Sequence, residues 1–101
     1  MKKADSESSS SPRVVRLGIT ALSPGPELMV FVDDIETGGK RPYYYTSDPR
    51  EALVKLIEYG NALYFKVGVK VVLSEDKLTR LLWEEYYLGK ELGIRSAIQY
   101  E

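Results

Sequence analysis

The chain has 101 residues, a net charge of −1, and a composition that is 44% hydrophobic and 29% charged. These values exclude a low-complexity chain and favour one globular domain. Cysteine and histidine are both absent, which removes disulfides, thiolate metal sites and the commonest proton shuttle. No apolar run has the length of a membrane span, and no signal-peptide pattern is present, so we expect a cytoplasmic location.

The N-terminal third predicts a polar tail followed by strands. Residues 1–12 are serine-rich, and we expect a disordered tail before a single domain that spans 13–101. The segment 13–19 alternates between apolar and small or polar side chains, which predicts a half-buried strand. Residues 28–32 are apolar on both faces, as expected of a central strand. Turn residues separate them from the tyrosines at 43–45, which therefore predict an antiparallel return strand.

The next segment carries clear signals for the start of a helix. Asp48 is expected to be the N-cap, Pro49 the first helical residue and Glu51 the return half of a capping box. Leucines and isoleucine at helical spacing predict one apolar face. We expect the helix to end at Gly60, where glycine can adopt a left-handed conformation.

After this helix the pattern predicts an extended segment and then a second helix. Residues 62–73 alternate, with Gly68 marking either a hairpin or a bulge in one long strand. Ser74 and two acidic residues open the second helix, whose apolar stripe consists of Leu78, Leu81, Leu82, Leu88 and Leu92. Trp83 and Tyr87 lie off this stripe, and the excess apolar surface predicts a homo-oligomer, either a dimer or a tetramer. The last residues, from Ile94 to Tyr100, form either a final strand or a docking segment.

The element order predicts an α+β fold. We expect a mostly antiparallel sheet of four or five strands, with two helices packed on one face. The opposite face is the candidate functional surface. The segments 13–26, 40–47 and 59–73 contain arginine and lysine but no carboxylate, although strands disfavour acidic residues in any case.

The candidate surface combines aromatic rings with cations. By alternation we expect Arg16, Tyr64 and Lys66 to face away from the helices, with Arg41, Tyr43 and Tyr45 together on one face. Single strands of nucleic acid bind such surfaces, because rings stack on bases and cations meet phosphates. The candidate nucleic-acid-binding residues are Arg16, Arg41, Tyr43, Tyr45, Tyr64, Lys66, Lys70 and Trp83. The alternatives are that the tyrosines fill sheet positions and cover a dimer interface, and that Trp83 and Tyr87 seal the edge of the core or a subunit contact.

Catalytic and metal sites are not predicted. Asp33, Asp34 and Glu36 fit an acidic turn better than a magnesium site, because no second acidic cluster accompanies them. Glu84 and Glu85 are adjacent on a helix and point in different directions, so they make a poor acid–base pair. We therefore expect no enzyme activity, no cofactor and no metal.

The order of elements resembles the ThermoDBP-related proteins, which are single-stranded DNA-binding proteins of thermophilic archaea. The resemblance covers residues 13–92 and rests on a tyrosine-bearing strand, the D-P-x-E-A-L helix start at 48–53 and the E-Y-G segment at 58–60. A further strand pair and a tryptophan-bearing second helix complete it. The resemblance implies an oligomeric α+β fold that holds unpaired DNA against aromatic and basic side chains. Family members with a C-terminal leucine zipper use it to dimerise, whereas only 94–101 follow the second helix here, so we expect assembly through the globular part.

These observations together predict a sequence-tolerant single-stranded DNA-binding protein with no membrane partner. RNA is an alternative ligand, because nothing in the sequence visibly reads a 2′-hydroxyl. A protein-interaction or assembly module that uses the same exposed rings is the second hypothesis. The charge-rich, cysteine-free composition with two methionines fits a thermophilic source.

Overall fold

The computed structural model describes residues 14–34, 38–89 and 92–100, and the predicted disordered tail lies outside them. The elements are β1 (Val14–Ala21), β2 (Leu28–Asp34), β3 (Lys40–Thr46), α1 (Pro49–Ala62), β4 (Lys70–Leu73) and α2 (Lys77–Leu82). Each helix continues into a π-helical turn, which spans Leu63–Val67 after α1 and Trp83–Tyr87 after α2. None of the described helices is long and apolar enough to cross a membrane.

The four strands form one sheet in the order β3-β2-β1-β4. Strands β1, β2 and β3 pair antiparallel, whereas β4 pairs parallel to β1. The α+β class is confirmed, but the prediction of a mostly antiparallel sheet of four or five strands is wrong, because the sheet is mixed and has four strands. The chain leaves β3 through α1 and crosses to the far side of the sheet, and such a crossover delivers a parallel strand.

One face of the sheet forms the core with both helices. Val15, Leu17 and Ile19 alternate as predicted and are buried together with Leu28, Val30 and Val32 of β2. The helices contribute Ala52, Leu53, Leu56, Ile57 and Leu82 to the same cluster. Burial of this apolar surface is the main favourable term that holds the layers together.

The start of α1 follows the sequence signals, with one difference. Asp48 is the N-cap, its side chain accepts a hydrogen bond from the Arg50 amide at 3.0 Å, and Pro49 is the first helical residue. Glu51 does not close a capping box. The Asp48 amide donates instead to the Thr46 hydroxyl, and the Glu51 carboxylate accepts hydrogen bonds from the hydroxyls of Thr46 and Tyr44. These bonds tie β3 to the first turn of α1.

The end of α1 is the largest departure from the predicted fold. The helix continues through Gly60, and the strand expected over 62–67 is helical. Gly60 is buried, and a Cβ there would lie 2.6 Å from Cγ1 of Ile98, so glycine is needed for close packing. The chain reverses at Gly68, whose φ of 81° terminates the π-helical turn. Only 70–73 of the predicted segment are extended, and neither a hairpin nor one long strand forms.

The C-terminal segment 92–100 docks beside β4. The Gln99 amide donates to the Val71 carbonyl and the Leu73 amide donates to the Gln99 carbonyl, both at 2.9 Å. Ile98 is buried against Gly60, and the Asn61 side chain bonds to the backbone of Arg95 and of Ala97. The segment thus covers the β4 edge through a single bridge, from Val72 to Gln99.

The second helix begins later than predicted. The Ser74 amide still donates to the Leu17 carbonyl, as a strand residue would, and α2 starts at Lys77. The Thr79 hydroxyl then exchanges two hydrogen bonds with the backbone of Ile19, at 2.9 and 3.0 Å. Because Thr79 faces the strand, Leu82 and Trp83 turn inward as well. Leu81 and Leu88 are exposed, so the predicted leucine stripe is only partly correct.

Candidate functional site

Strand β3 is an edge strand, and its outer side has no strand partner among the described residues. Its tyrosines are well exposed for such large rings, at 43% for Tyr43 and 50% for Tyr45. Strand edges pair readily with other chains unless charges, proline or a bulge prevent it. This edge has all three features, since Lys40, Arg41 and Pro42 open the strand and a register shift follows them. The edge is thus protected against pairing while its rings stay accessible.

The register shift changes which face each tyrosine occupies. Pro42 is opposite Phe31 and Tyr44 is opposite Val30, so Tyr43 is the extra residue of a bulge. The Tyr43 ring stacks on Tyr59 of α1, with centroids 4.0 Å apart and planes 10° apart. Tyr45 is opposite Met29, on the face away from the helices. The prediction that Tyr43 and Tyr45 share a face is therefore wrong.

Tyr44 fixes the strand to the helix. Its hydroxyl donates to the Glu51 carboxylate at 3.0 Å, and the Lys55 ammonium lies 5.3 Å from the centroid of its ring. The hydrogen bond to Glu51 is the main reason that the pKa of Tyr44 is raised above its usual value. Lys55 pairs with Glu58 at 3.7 Å rather than with Glu51. Tyr44 thus serves to position its neighbours in the strand.

Four cations gather at one end of the sheet, which we call the basic end. Lys40 begins β3 opposite Asp33 of β2, and Lys70 begins β4 opposite Val14 of β1; Asp33 is in turn opposite Arg16, two residues after Val14. Helix α1 starts beside the opposite end of β3, so the turn that follows it returns to the basic end. The basic end thus consists of Lys40, Arg41, Lys66 and Lys70. Arg41, Lys66 and Lys70 make no ion pair with another described residue.

The turn of residues 63–67 adds exposed rings to this end. Tyr64 is 45% exposed and Phe65 is 73% exposed, and their rings meet edge to face at 5.1 Å. Lys66 follows directly and is exposed. Tyr64 and Lys66 were predicted on a strand and lie instead on a helical turn. They keep their accessibility because the turn projects beyond the core.

The sheet face away from the helices is not the uniformly basic surface that was expected. Arg16 lies there but pairs with Asp33 at 3.7 Å. A depression of about 580 Å³ on this face is lined by three cations, three carboxylates and a serine: Arg16, Asp33, Lys40, Ser74, Glu75, Asp76 and Lys77. Phe31 is fully buried there, beneath the Lys40 ammonium at 4.6 Å. Among the described residues this face offers mixed charge, and Tyr45 is its exposed ring.

Trp83 does not contribute to an exposed surface. It is only 2% exposed, and its ring stacks between Tyr87 at 4.4 Å and Tyr100 at 6.2 Å. The Tyr100 hydroxyl donates to Glu84, and the Arg80 guanidinium lies over the Tyr100 ring. Of the two roles considered for Trp83, sealing the edge of the core agrees with this geometry, and base stacking requires an accessible ring that Trp83 does not have.

Sequence reasoning missed Tyr59 and Phe65. Tyr59 follows Glu51 and Lys55 at steps of four, so all three lie on the side of α1 that contacts β3. Phe65 was expected to face the core because 62–67 alternates. The spacing of Leu53, Ile57 and Gly60 continues the helical period through the glycine, and this spacing could have predicted a longer helix in place of the strand.

Within 14–34, 38–89 and 92–100, no group of three or more potential metal-ligating side chains is found. Comparison of the chain with family models, curated proteins and solved structures found no match. The resemblance to ThermoDBP-related proteins therefore stays a prediction.

Proposed function

We propose that the protein binds single-stranded DNA with little sequence preference, at the basic end of the sheet. The observation that carries the proposal is that exposed rings lie within two residues of cations that make no ion pair with a described residue. Tyr43 and Tyr64 supply rings, and Arg41, Lys66 and Lys70 supply positive charge. Tyr45 lies on the other face of the strand and has a lesser role.

The charge distribution supports this location despite the net charge of −1. The segments 40–47 and 59–73 contain no carboxylate, so the cations that they carry are not neutralised by their own neighbours in sequence. Phosphate oxygens that approach Arg41, Lys66 and Lys70 therefore meet no carboxylate within the same segments, and Asp33, which is opposite Lys40 on β2, pairs with Arg16. By contrast, Arg16 is neutralised by Asp33, and we exclude it from the proposed site.

The geometry of the rings supports stacking without base-specific readout. The stacked pair of Tyr43 and Tyr59 presents one flat aromatic platform, and the pair of Tyr64 and Phe65 presents two rings at 87°. Every base has a flat face, so stacking on such platforms tolerates any sequence and contributes about 1–3 kcal/mol per base.

The proposal is tested by titrating a fluorescein-labelled oligo(dT) of about 20 nucleotides, longer than the about 4–16 nucleotides that a single small domain covers. We expect saturable binding that weakens with salt. The logarithm of the binding constant should fall by about 0.7 per neutralised phosphate for each tenfold rise in salt concentration. Absence of binding at about 50 mM salt would contradict the proposal.

Charge variants locate the site. Lys66→Ala and Lys70→Ala should each weaken binding and reduce the salt slope. The control is Lys77→Ala, because Lys77 lies beyond the opposite end of β4, in the mixed-charge depression that includes Lys40 but neither Lys66 nor Lys70, and its loss changes the net charge equally. Equal losses of affinity in all three variants would indicate a general charge effect. They would contradict the assignment of the binding site to the basic end. Matched RNA and DNA strands measure the preference between the two ligands.

A second candidate function, a protein-interaction or assembly module, is favoured by a different observation. Phe65, Val67 and Leu88 are between 53% and 73% exposed, and a depression of about 410 Å³ is lined by Tyr87, Leu88, Gly93 and Ile94. Exposed apolar patches of this kind mark protein contacts in many soluble proteins. Analytical ultracentrifugation of the wild type and Leu88→Glu tests it: an oligomer that the variant dissociates favours assembly through this patch.

A further inference from the structure

A groove beside the basic end has the features of a subsite for one nucleotide. It has a volume of about 380 Å³ and is lined by Asn61, Phe65, Tyr87, Arg95, Ser96 and Ala97. Pockets that hold small ligands have volumes of about 300–1,000 Å³ and combine apolar walls with a few polar groups. The two aromatic residues come from the turns that follow α1 and α2, and the opposite wall comes from the C-terminal segment.

The charge of the groove selects the chemistry of its occupant. Arg95 is exposed and makes no ion pair with another described residue, and none of the described residues that line the groove is a carboxylate. A guanidinium beside aromatic walls suits a planar ring that carries a phosphate, because it can bond two phosphate oxygens at once. An apolar segment of another protein chain in the groove would leave the charge of Arg95 without a partner.

Contacts within the protein hold the walls of the groove in place. Asn61 donates to the Arg95 carbonyl at 2.9 Å and accepts from the Ala97 amide at 2.7 Å, which fixes the C-terminal wall. Tyr87 stacks on the buried Trp83 at 4.4 Å. Such pre-formed walls reduce the entropy that a ligand loses on binding.

We propose that the groove takes one nucleotide of a bound single strand, with its base between Phe65 and Tyr87 and its phosphate on Arg95. This inference rests on the proposed function and extends it. The edge-to-face contact of Phe65 with Tyr64 joins the groove to the basic end. A strand that stacks on Tyr64 can therefore place a neighbouring base in the groove without crossing an acidic surface.

The test compares two groove variants with two matched controls in the oligo(dT) titration. Phe65→Ala should weaken binding about fivefold or more, as loss of one stacking ring does. Arg95→Ala should weaken binding and reduce the salt slope by about 0.7, whereas Arg95→Lys should restore the slope. Leu81→Ala and Lys77→Ala remove an exposed apolar side chain and a cation outside the groove, and should leave affinity within about twofold of wild type. Both groove side chains are exposed, so their loss should leave the fold intact, which circular dichroism checks.

The outcomes separate the two proposals. If the wild type binds oligo(dT) and both groove variants bind it as tightly as the two controls do, the groove proposal is overturned and the proposed function stands. If the wild type does not bind at all, the proposed function fails and the groove proposal fails with it. Weaker binding by Phe65→Ala and Arg95→Ala, with controls unchanged, supports the groove.

Discussion

The two edges of the sheet differ in how their strands are protected. The β4 edge is covered by the chain itself, through the two backbone hydrogen bonds of Gln99, the buried side chain of Ile98 and the stacking of Tyr100 near Trp83. The β3 edge has no strand partner among the described residues, and is protected only by Lys40, Arg41, Pro42 and the bulge at Tyr43. One edge is part of the core, and the other is left accessible.

This difference assigns separate roles to the two edges. At the β4 edge Val71, Val72, Leu73 and Ile98 are buried, so their loss should reduce the free energy of unfolding, whereas Lys70 at the start of β4 belongs to the basic end. Most side chains at the β3 edge and the basic end are exposed, and Arg41, Lys66 and Lys70 make no ion pair with another described residue, so the loss of these cations should change ligand affinity more than stability. Single variants at each edge can test whether stability and ligand affinity depend on different edges.

The largest expected effect is at the β4 edge. Ile98→Ala should reduce the free energy of unfolding by about 2–5 kcal/mol, because Ile98 is only 7% exposed and its loss leaves a cavity beside Gly60. Urea denaturation followed by the emission of the sole tryptophan, Trp83, measures this. Leu81→Ala is the control, since Leu81 is 56% exposed and should change stability by less than about 0.5 kcal/mol. Similar midpoints for the two variants would show that the C-terminal segment is not part of the core.

The next effect concerns the side chain that holds the C-terminal segment to α1. Asn61→Ala removes one donor and one acceptor from the backbone of the segment. We expect a loss of about 1–3 kcal/mol in unfolding free energy, since the freed backbone groups lose their partner. Asn61→Asp keeps the acceptor for the Ala97 amide and should give a smaller loss. A greater loss for Asp than for Ala would contradict this assignment of donor and acceptor.

At the β3 edge the prediction is a change in affinity. Tyr43→Ala should weaken oligo(dT) binding by about 5–30-fold, because it removes one half of the stacked platform with Tyr59. Stability should fall by no more than about 1.5 kcal/mol, the upper range for an aromatic pair. Tyr45→Ala is a matched control of the same type and similar exposure on the other face, and should weaken binding less. Equal effects of the two variants would show that the bulge does not select between the faces.

The smallest effect is a dependence of stability on pH. The hydrogen bond to Glu51 raises the pKa of Tyr44 above the value of about 10 that the unfolded chain has. The stabilisation is therefore present below about pH 10 and is lost as the pH rises through the higher folded pKa. Tyr44→Phe has no hydroxyl, so the difference in stability between wild type and variant should shrink above pH 10. If the unfolding free energies of wild type and Tyr44→Phe change in parallel above pH 10, the hydrogen bond between Tyr44 and Glu51 makes no pH-dependent contribution to stability.

Local signals in the sequence predicted much of the fold. Alternation at 15–19 identified the core face of β1, the two-sided apolar run identified the internal strand β2, and Asp48 with Pro49 marked the start of α1. These features depend on neighbouring residues and on burial of one face. They are therefore visible without knowledge of the tertiary structure.

The errors came from contacts between residues that are distant in sequence. The role of Gly60 is visible only in the tertiary structure, where Ile98 packs against it and leaves no space for a Cβ, and the glycine that ends the turn is Gly68. The face of Tyr43 depends on a register shift against β2, which alternation along one strand cannot show. Of the eight candidate residues, Tyr64 and Lys66 were therefore placed on a strand although they lie on a helical turn, and Tyr43 was placed on the wrong face of its strand.

Nuclear magnetic resonance mapping of backbone amide shifts on titration with oligo(dT) tests the separation of the two edges most directly. We predict that the largest shifts fall within 41–45 and 64–66, with small shifts at Val72 and Gln99. Large shifts confined to the β4 edge, or none at the basic end on saturation with DNA, would contradict the account.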